Sequence, residues 1–352
     1  MRYGIIGSGM MGIEHILNLQ HIEGALVTAV ADPHEPSQQA ARAAVGDPGL
    51  PVFADHREML ESDLCDAVVL ATPNMTHGDI LLDILAVDRL HALVEKPLCT
   101  TMDACRDVVA ASKDRSGIVW MGLEYRYKPP IARLIEEVNG GAAGPVKMVA
   151  IREHRFPFLQ KVDDWNRFNR NSGGTLVEKC CHFFDLMTLI AGAKPVRVMA
   201  SGAQDLNHLD ESYGGETPDI IDNAYVIVEY DNGVRAVLDL CMFAEGSRNE
   251  QEISVVGDVG KVEAFVPEGV VRIGRRDRGR DMDEIKVHDP RIAFEGLHEG
   301  SSFLEHLDFA QAIRTNTQPL ITLEDGMLAV AVGVAGQMSI AEGRAVPMDE
   351  VL

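Results

Sequence analysis

The chain has 352 residues and carries 32 Lys and Arg against 54 Asp and Glu, a formal net charge of −22. That length suggests about two domains, and 46% hydrophobic with 24% charged residues excludes a wholly disordered chain. A field this acidic repels phosphate backbones and anionic lipid, so nucleic acid and membrane surfaces are excluded as natural partners.

Met1-Arg2 leads straight into a strand pattern with no leader signature. The first part of the chain alternates short β-branched runs with helical periodicity. Strands are expected at Tyr3–Ile6, Leu26–Ala31, Ala67–Ala71, Ala92–Val94 and Ile118–Met121, and helices around Met10–Gln20, Glu35–Val45, Thr76–Ala86 and Thr101–Lys113. Non-alternating apolar strands separated by helices predict an α/β Rossmann domain, a doubly wound parallel sheet, over residues 1–122. From 123 to 352 the texture becomes α+β with a large open, mostly antiparallel sheet. Helical pieces at Ile131–Val138 and Leu176–Ile190 precede strands at Ala224–Tyr230 and Val234–Leu240, joined by an Asn232-Gly233 hairpin signal. Further strands are expected at Glu252–Val256, Gly260–Val266, Val270–Ile273 and Glu284–Val287, then helices at Phe303–Thr315 and Gly326–Ala341. Apolar stretches such as Leu328–Gly336 fall short of the ~20 residues a membrane helix needs. Six cysteines without CxxC spacing suit neither a zinc cage nor a disulfide framework, which points to a reduced, cytoplasmic protein.

Gly7-Ser8-Gly9-Met10-Met11-Gly12 is a GxGxxG loop between a strand and a helix. Gly7 permits the tight turn, Gly9 lets backbone approach a pyrophosphate, and Gly12 lets helix and strand pack closely. The pyrophosphate then faces the free N–H groups at the helix N-terminus. Asp32, at the end of the next strand, would bind the adenosine ribose and repel a 2′-phosphate, favouring NAD over NADP; alternatively it only starts the Asp32-Pro33 turn. Two more segments follow strand ends, where such sheets place their ligands: Thr72-Pro73-Asn74-Met75-Thr76-His77 and Glu95-Lys96-Pro97. A helix cap and a surface ammonium are the bland readings of the same residues.

A third segment runs from Ser172-Gly173-Gly174 through Glu178 and Cys180-Cys181 to His182 and Asp185. On one continuous helix Glu178, His182 and Asp185 share a side, so Glu178 would orient His182 as the base an alcohol oxidation needs. Tyr125, Arg126, Arg152, His154, Trp165 and Arg167 are candidates for a sugar pocket, because aromatic faces stack on rings while amide and guanidinium donors bond hydroxyls, although surface loops have the same composition. His298-Glu299 and Glu305-His306 lack any metal spacing, so no metal is expected.

The glycine loop, Thr72–His77, Glu95-Lys96-Pro97 and the later Gly-Gly…His…Asp segment together resemble the Gfo/Idh/MocA oxidoreductases, a family that includes inositol, glucose and other sugar dehydrogenases. The C-terminal Phe309–Ile313, Pro319, Asp325-Gly326 and Ser339-Ile340 extend the resemblance over nearly the whole chain. It implies a nicotinamide cofactor bound through Gly7, Gly9, Met10, Met11, Gly12, Asp32, Thr72, Pro73, Asn74, His77, Glu95 and Lys96. It implies a catalytic Lys96 that holds substrate, a following Pro that is often cis, and a homodimer or homotetramer built on the open sheet face. The family usually carries Asp where this chain has Glu178. Hydride transfer between NAD and a sugar or cyclic polyol is the expected activity. Alternatives on the same scaffold are redox-assisted glycoside cleavage and non-catalytic sensing of dinucleotide or sugar.

Overall fold

The computed structural model describes residues 1–352. Its first sheet holds β1 (Arg2–Ile6), β2 (Leu26–Ala31), β3 (Val52–Phe53), β4 (Ala67–Leu70), β5 (His91–Glu95) and β6 (Val119–Gly122) in the order β3-β2-β1-β4-β5-β6. Every pairing is parallel. Buried runs such as Ala67–Leu70 explain this, since only a strand covered on both faces can be apolar throughout. The connecting helices are α1 (Met10–Leu19), α2 (Glu35–Val45), α3 (His56–Glu61), α4 (His77–Leu85) and α5 (Met102–Ala111). The two-residue β3 and the single polar turn-and-a-half of α3 are too short for periodicity to announce, and the sequence reading passed over both. Strand order reverses between β1 and β4, so the loops after Ile6 and Leu70 diverge and leave a crevice at the carboxyl ends of the strands.

After α6 (Pro129–Asn139) the chain enters a nine-stranded sheet. Its strands are β7 (Val146–His154), β8 (Pro195–Ala203), β9 (Asn223–Tyr230), β10 (Arg235–Cys241), β11 (Gln251–Gly257), β12 (Gly260–Val266), β13 (Val270–Arg275), β14 (Met282–Lys286) and β15 (Val346–Pro347). The order is β14-β13-β12-β11-β7-β10-β9-β8-β15, with β7 and β10 parallel and all other neighbours antiparallel. The β9–β10 hairpin turns where Asn232-Gly233 predicts, with Gly233 at φ +83°.

Between β7 and β8 lie three helices, α7 (Asn169–Ser172), α8 (Thr175–Glu178) and α9 (Cys181–Ala191). The single helix expected over Leu176–Ile190 is therefore broken at Lys179-Cys180. With α10 (Ser301–Thr315) and α11 (Leu323–Glu342) the chain returns to the first sheet: α10 packs on α1, and α11 packs on α5, α9 and β8. Thr322 caps α11 through a reciprocal bond pair with Asp325. One face of the nine-stranded sheet is thus covered by helices. The other leaves Met148, Met199, Tyr225 and Ile227 more than 40% exposed. No helix is long and apolar enough to cross a membrane.

Candidate active site

The glycine loop is shaped by contacts a side chain could not make. Gly7 sits at φ +87°, and a Cβ there would stand 2.7 Å from the Ala71 carbonyl. A Cβ on Gly12 would lie 2.0 Å from the Gly7 carbonyl oxygen. Gly9 is different, for nothing approaches its Cβ position within 4 Å. That gap opens onto the N-terminus of α1, where unpaired N–H groups and the helix dipole favour a phosphate. Asp32 closes the turn after β2 and reaches back to the glycine loop. Its Oδ1 accepts from the His34 N–H at 2.8 Å, closing the turn, while Oδ2 accepts from Ser8 N–H at 2.7 Å and Ser8 Oγ at 3.1 Å. The carboxylate thereby ties the glycine loop to the end of β2 and still lines the crevice. These residues fit a dinucleotide.

The crevice holds about 370 Å³ and runs from Gly7, Gly9, Met10, Met11 and Asp32 past Thr72, Pro73 and Asn74 to Glu95, Lys96 and Glu178. Gly12 packs beneath it. His77 does not line it either; its Nδ1 lies 2.8 Å from the Pro97 carbonyl and its Nε2 3.0 Å from the Thr72 carbonyl. That side chain braces one crevice loop against the other, which corrects its expected cofactor contact. Asn74 ties the same loop to α7 through the Ser172 carbonyl at 3.1 Å. The Lys96–Pro97 peptide is cis. Glu95 is held from behind: its Oε1 meets His15 Nε2 at 2.9 Å, and His15 Nδ1 meets His306 Nε2 at 2.8 Å. The pairing of His15 with His306 carried no signal in the sequence, the two being 291 positions apart.

At the far end, Lys96 Nζ donates to the Glu178 carbonyl at 3.4 Å. The break between α8 and α9 removes the i, i+4 relation between Glu178 and His182, and no hydrogen bond joins them. Glu178 turns to the crevice, where its buried Oε2 has no partner. His182 is buried away from the crevice lining and stacks on Tyr125, with ring centroids 4.1 Å apart. The carboxylate nearest its ring is Glu124, Oε1 to Nε2 3.6 Å. Glu178 as the group that orients His182 is corrected accordingly, and Glu124 is the residue the sequence reading missed.

Several pocket candidates belong elsewhere. Arg126 forms a double bond pair with Asp185 and stands 3.5 Å from Asp325, an ion cluster joining α9 and α11. Tyr125 accepts from Lys179 Nζ at 2.7 Å, and Lys179 also lies 2.9 Å from Glu153. Arg152 and His154 do share a face of β7, but it is the open face, where they pair across strands with Glu252 at 2.6 Å and Asp239 at 3.1 Å. The intervening Glu153 points inward and is fully buried. The burial of Val149 and Ile151 was the available sign, because alternation puts 152 and 154 opposite them. Arg167 is buried against Glu211 at 2.8 Å, whereas Trp165 lines the crevice with Gln160, Lys161 and Val162.

Burial and neighbours set the charges here. Burial opposes the Lys96 ammonium, yet Cys181, Glu95, Glu178 and Glu124 hold its pKa above the ordinary lysine value. Burial would raise the Glu95 carboxyl, but the His15 bond and the His15 and Lys96 charges take it below the usual range. Burial, reinforced by Glu95, pushes Glu124 up to about 7. Burial, then Lys96 and Lys179, keeps His182 neutral well below the usual imidazole range. Burial drives the Cys181 thiol up to about 12, so it is no nucleophile at neutral pH. Lys161 falls to about 8 through burial and the nearby Lys96.

Comparison with known proteins agrees with this geometry. Residues 1–123 match the family model described as the NAD-binding Rossmann fold of an oxidoreductase family, and residues 135–348 match its C-terminal α/β domain. Among curated proteins, the chain is 27% identical to myo-inositol 2-dehydrogenase of Thermotoga maritima, covering 100% of both chains. It is 26% identical to scyllo-inositol 2-dehydrogenase (NAD(+)) of Bacillus subtilis, covering 99% of this chain and 96% of the other. A probable dehydrogenase from Thermotoga maritima superposes with TM-score 0.80 at 25% identity over 100% of both chains. Levoglucosan dehydrogenase in complex with NADH and levoglucosan superposes with TM-score 0.84 at 20% identity over 99% of each, a likeness of fold alone.

Proposed function

The chain belongs to the Gfo/Idh/MocA oxidoreductase family, and from that premise we propose that it transfers hydride between NAD and a hydroxyl of a sugar or cyclic polyol. One observation carries this reading: a single crevice joins the glycine loop and Asp32 at one end to Lys96 and Glu178 at the other. When bound, the nicotinamide supplies the hydride acceptor. Lys96, charged at neutral pH, polarises the reacting oxygen, and the buried unpartnered Glu178 carboxylate accepts from a second hydroxyl. His182, a neutral imidazole, takes the hydroxyl proton. Asp32 sets a preference for NAD over NADP.

Residues 1–122 serve the dinucleotide and supply Lys96, while 123–352 supply the rest of the substrate site. The open face of the nine-stranded sheet, with Met148, Met199, Tyr225 and Ile227 exposed among ion pairs, joins a second copy to give a homodimer or homotetramer. Six free cysteines suit the reducing cytoplasm. The test is NADH formation across inositols, hexoses, uronates and glycosides in both directions. Net NADH supports a dehydrogenase. Glycoside cleavage without net NADH indicates internal recycling of the cofactor, and no turnover on any member returns the chain to a sensor.

A further inference from the structure

Four cations meet four carboxylates, Glu95, Glu124, Glu153 and Glu178, around the reactive end of the crevice, and one of the cations, Lys161, has no partner. In a chain of net charge −22, Lys96, Lys161, Lys179 and Arg155 converge there. Glu153 serves Lys179 at 2.9 Å and Arg155 at 3.8 Å. Glu95 is committed to His15. Lys96 reaches a backbone carbonyl. Lys161 lines the crevice, is mostly shielded from water, and forms neither an ion pair nor a hydrogen bond.

An ammonium partly shielded from water and without a partner is costly, and a ligand anion is the natural compensation. Lys161 shares the crevice lining with Lys96, Glu95 and Glu178, and these groups, with Arg155, are the charges that bear on it. Its charge is therefore spent at the substrate rather than at the cofactor's phosphates. An oxidised nicotinamide beside Lys96 would add a further positive charge. One spare ammonium matches a monoanion better than a phosphate dianion.

Resting on the dehydrogenase reading above, we infer that the substrate is a sugar or polyol acid, whose carboxylate pairs with Lys161 while Lys96 holds the reacting hydroxyl. The ammonium of Lys161 titrates at about 8 in the free crevice, under the influence of Lys96, Glu178, Glu95 and Arg155. Acid binding therefore weakens as pH rises above that point, because only the ammonium form pairs with a carboxylate.

The experiment compares matched neutral and acidic probes, D-glucose with D-gluconate and D-glucuronate, on the wild type, Lys161→Met and Lys161→Arg. Binding of each acid to the NADH-loaded enzyme is measured by calorimetry, and turnover with NAD is measured alongside. Wild type should bind the acids at least tenfold more tightly than glucose. Lys161→Met should lose that margin while NADH affinity stays within twofold. Lys161→Arg should keep the margin and carry it to higher pH, since guanidinium stays charged. Equal binding of acid and neutral probes by wild type overturns the inference. So does Lys161→Met that weakens NADH instead, which would assign the ammonium to the cofactor. Acids bound without turnover by an enzyme that also leaves every neutral probe unoxidised would sink the dehydrogenase reading and keep the carboxylate site.

Discussion

His182 Nε2 stands 3.6 Å from Glu124 Oε1, and the two side chains are 2% and 4% exposed. The other Glu124 oxygen is buried without a partner. A carboxylate placed so deep costs stability at neutral pH, and the sign follows from its raised pKa. Between the ordinary carboxylate value and about 7 the folded state binds more protons than the unfolded one, so stability falls as pH rises through that window. Glu124→Gln should accordingly unfold at a higher temperature than wild type at pH 8 and near the same temperature at pH 4. If His182 takes the substrate proton, the ionised Glu124 steadies the imidazolium that results. Oxidation should then accelerate as pH rises through about 7, and Glu124→Gln should flatten that rise and lower kcat roughly tenfold. A variant with unchanged kcat and profile would leave Glu124 a purely structural burden.

On the proposed cofactor reading Asp32 would repel a 2′-phosphate, and it also holds Ser8 and so the shape of the glycine loop. Asp32→Ala should weaken NAD through loss of the ribose partner and through a looser loop, while NADP gains from relieved repulsion and loses from the same looseness. Asp32→Asn keeps an acceptor for the loop and removes the charge, so it isolates the electrostatic part. Titration should show NAD bound more tightly than NADP by wild type, with the gap narrowed in Asp32→Asn. Tighter NADP binding by wild type would remove Asp32 as the determinant.

The first sheet was legible because its strands are buried on both faces and the turn after its first strand is a glycine loop with fixed roles. Gly7, Gly9, Asp32, Thr72 and Lys96 could be placed because the strand ends of such a sheet converge on one crevice. The errors have one physical origin. A helix pattern cannot show a break when the residues at the break, Lys179 and Cys180, are themselves compatible with helix, so Glu178 and His182 looked like neighbours. Alternation located Arg152 and His154 on one face of β7 without saying which face the helices cover. Glu124, His15, His306 and Lys161 come from separate segments, and only the tertiary fold brings each to its partners or to the crevice.

The open sheet face makes a prediction about mass. Met199 and Ile227 pair directly across β8 and β9, Tyr225 lies two positions along β9, and Met148 is exposed on β7, beyond the intervening β10. Sedimentation should give at least two chains, and Ile227→Lys with Tyr225→Lys should shift the population toward one chain without changing NAD affinity. A clean 38.4 kDa species for wild type at micromolar concentration would contradict a copy on this face.

Lys96 and His182 should separate kinetically. Lys96 lines the crevice and would touch the reacting oxygen in the ground state and the transition state alike, so Lys96→Met should raise KM and lower kcat. His182 lies behind the lining, stacked on Tyr125, so alanine there would leave a cavity and confuse chemistry with packing. His182→Gln keeps most of the volume and lacks an imidazole to take the proton. Its kcat should fall by roughly 10²–10⁴, the usual worth of a positioned base, with KM and NAD affinity little changed. The double variant should lose less than the sum of the two, because both groups act on one oxygen and its proton. If His182→Gln kept near-native kcat and the same pH profile, the ring would be a stacking partner for Tyr125. The proton would then leave through Lys96, and activity would follow the high pKa that its carboxylate neighbours impose rather than an ionisation near 7.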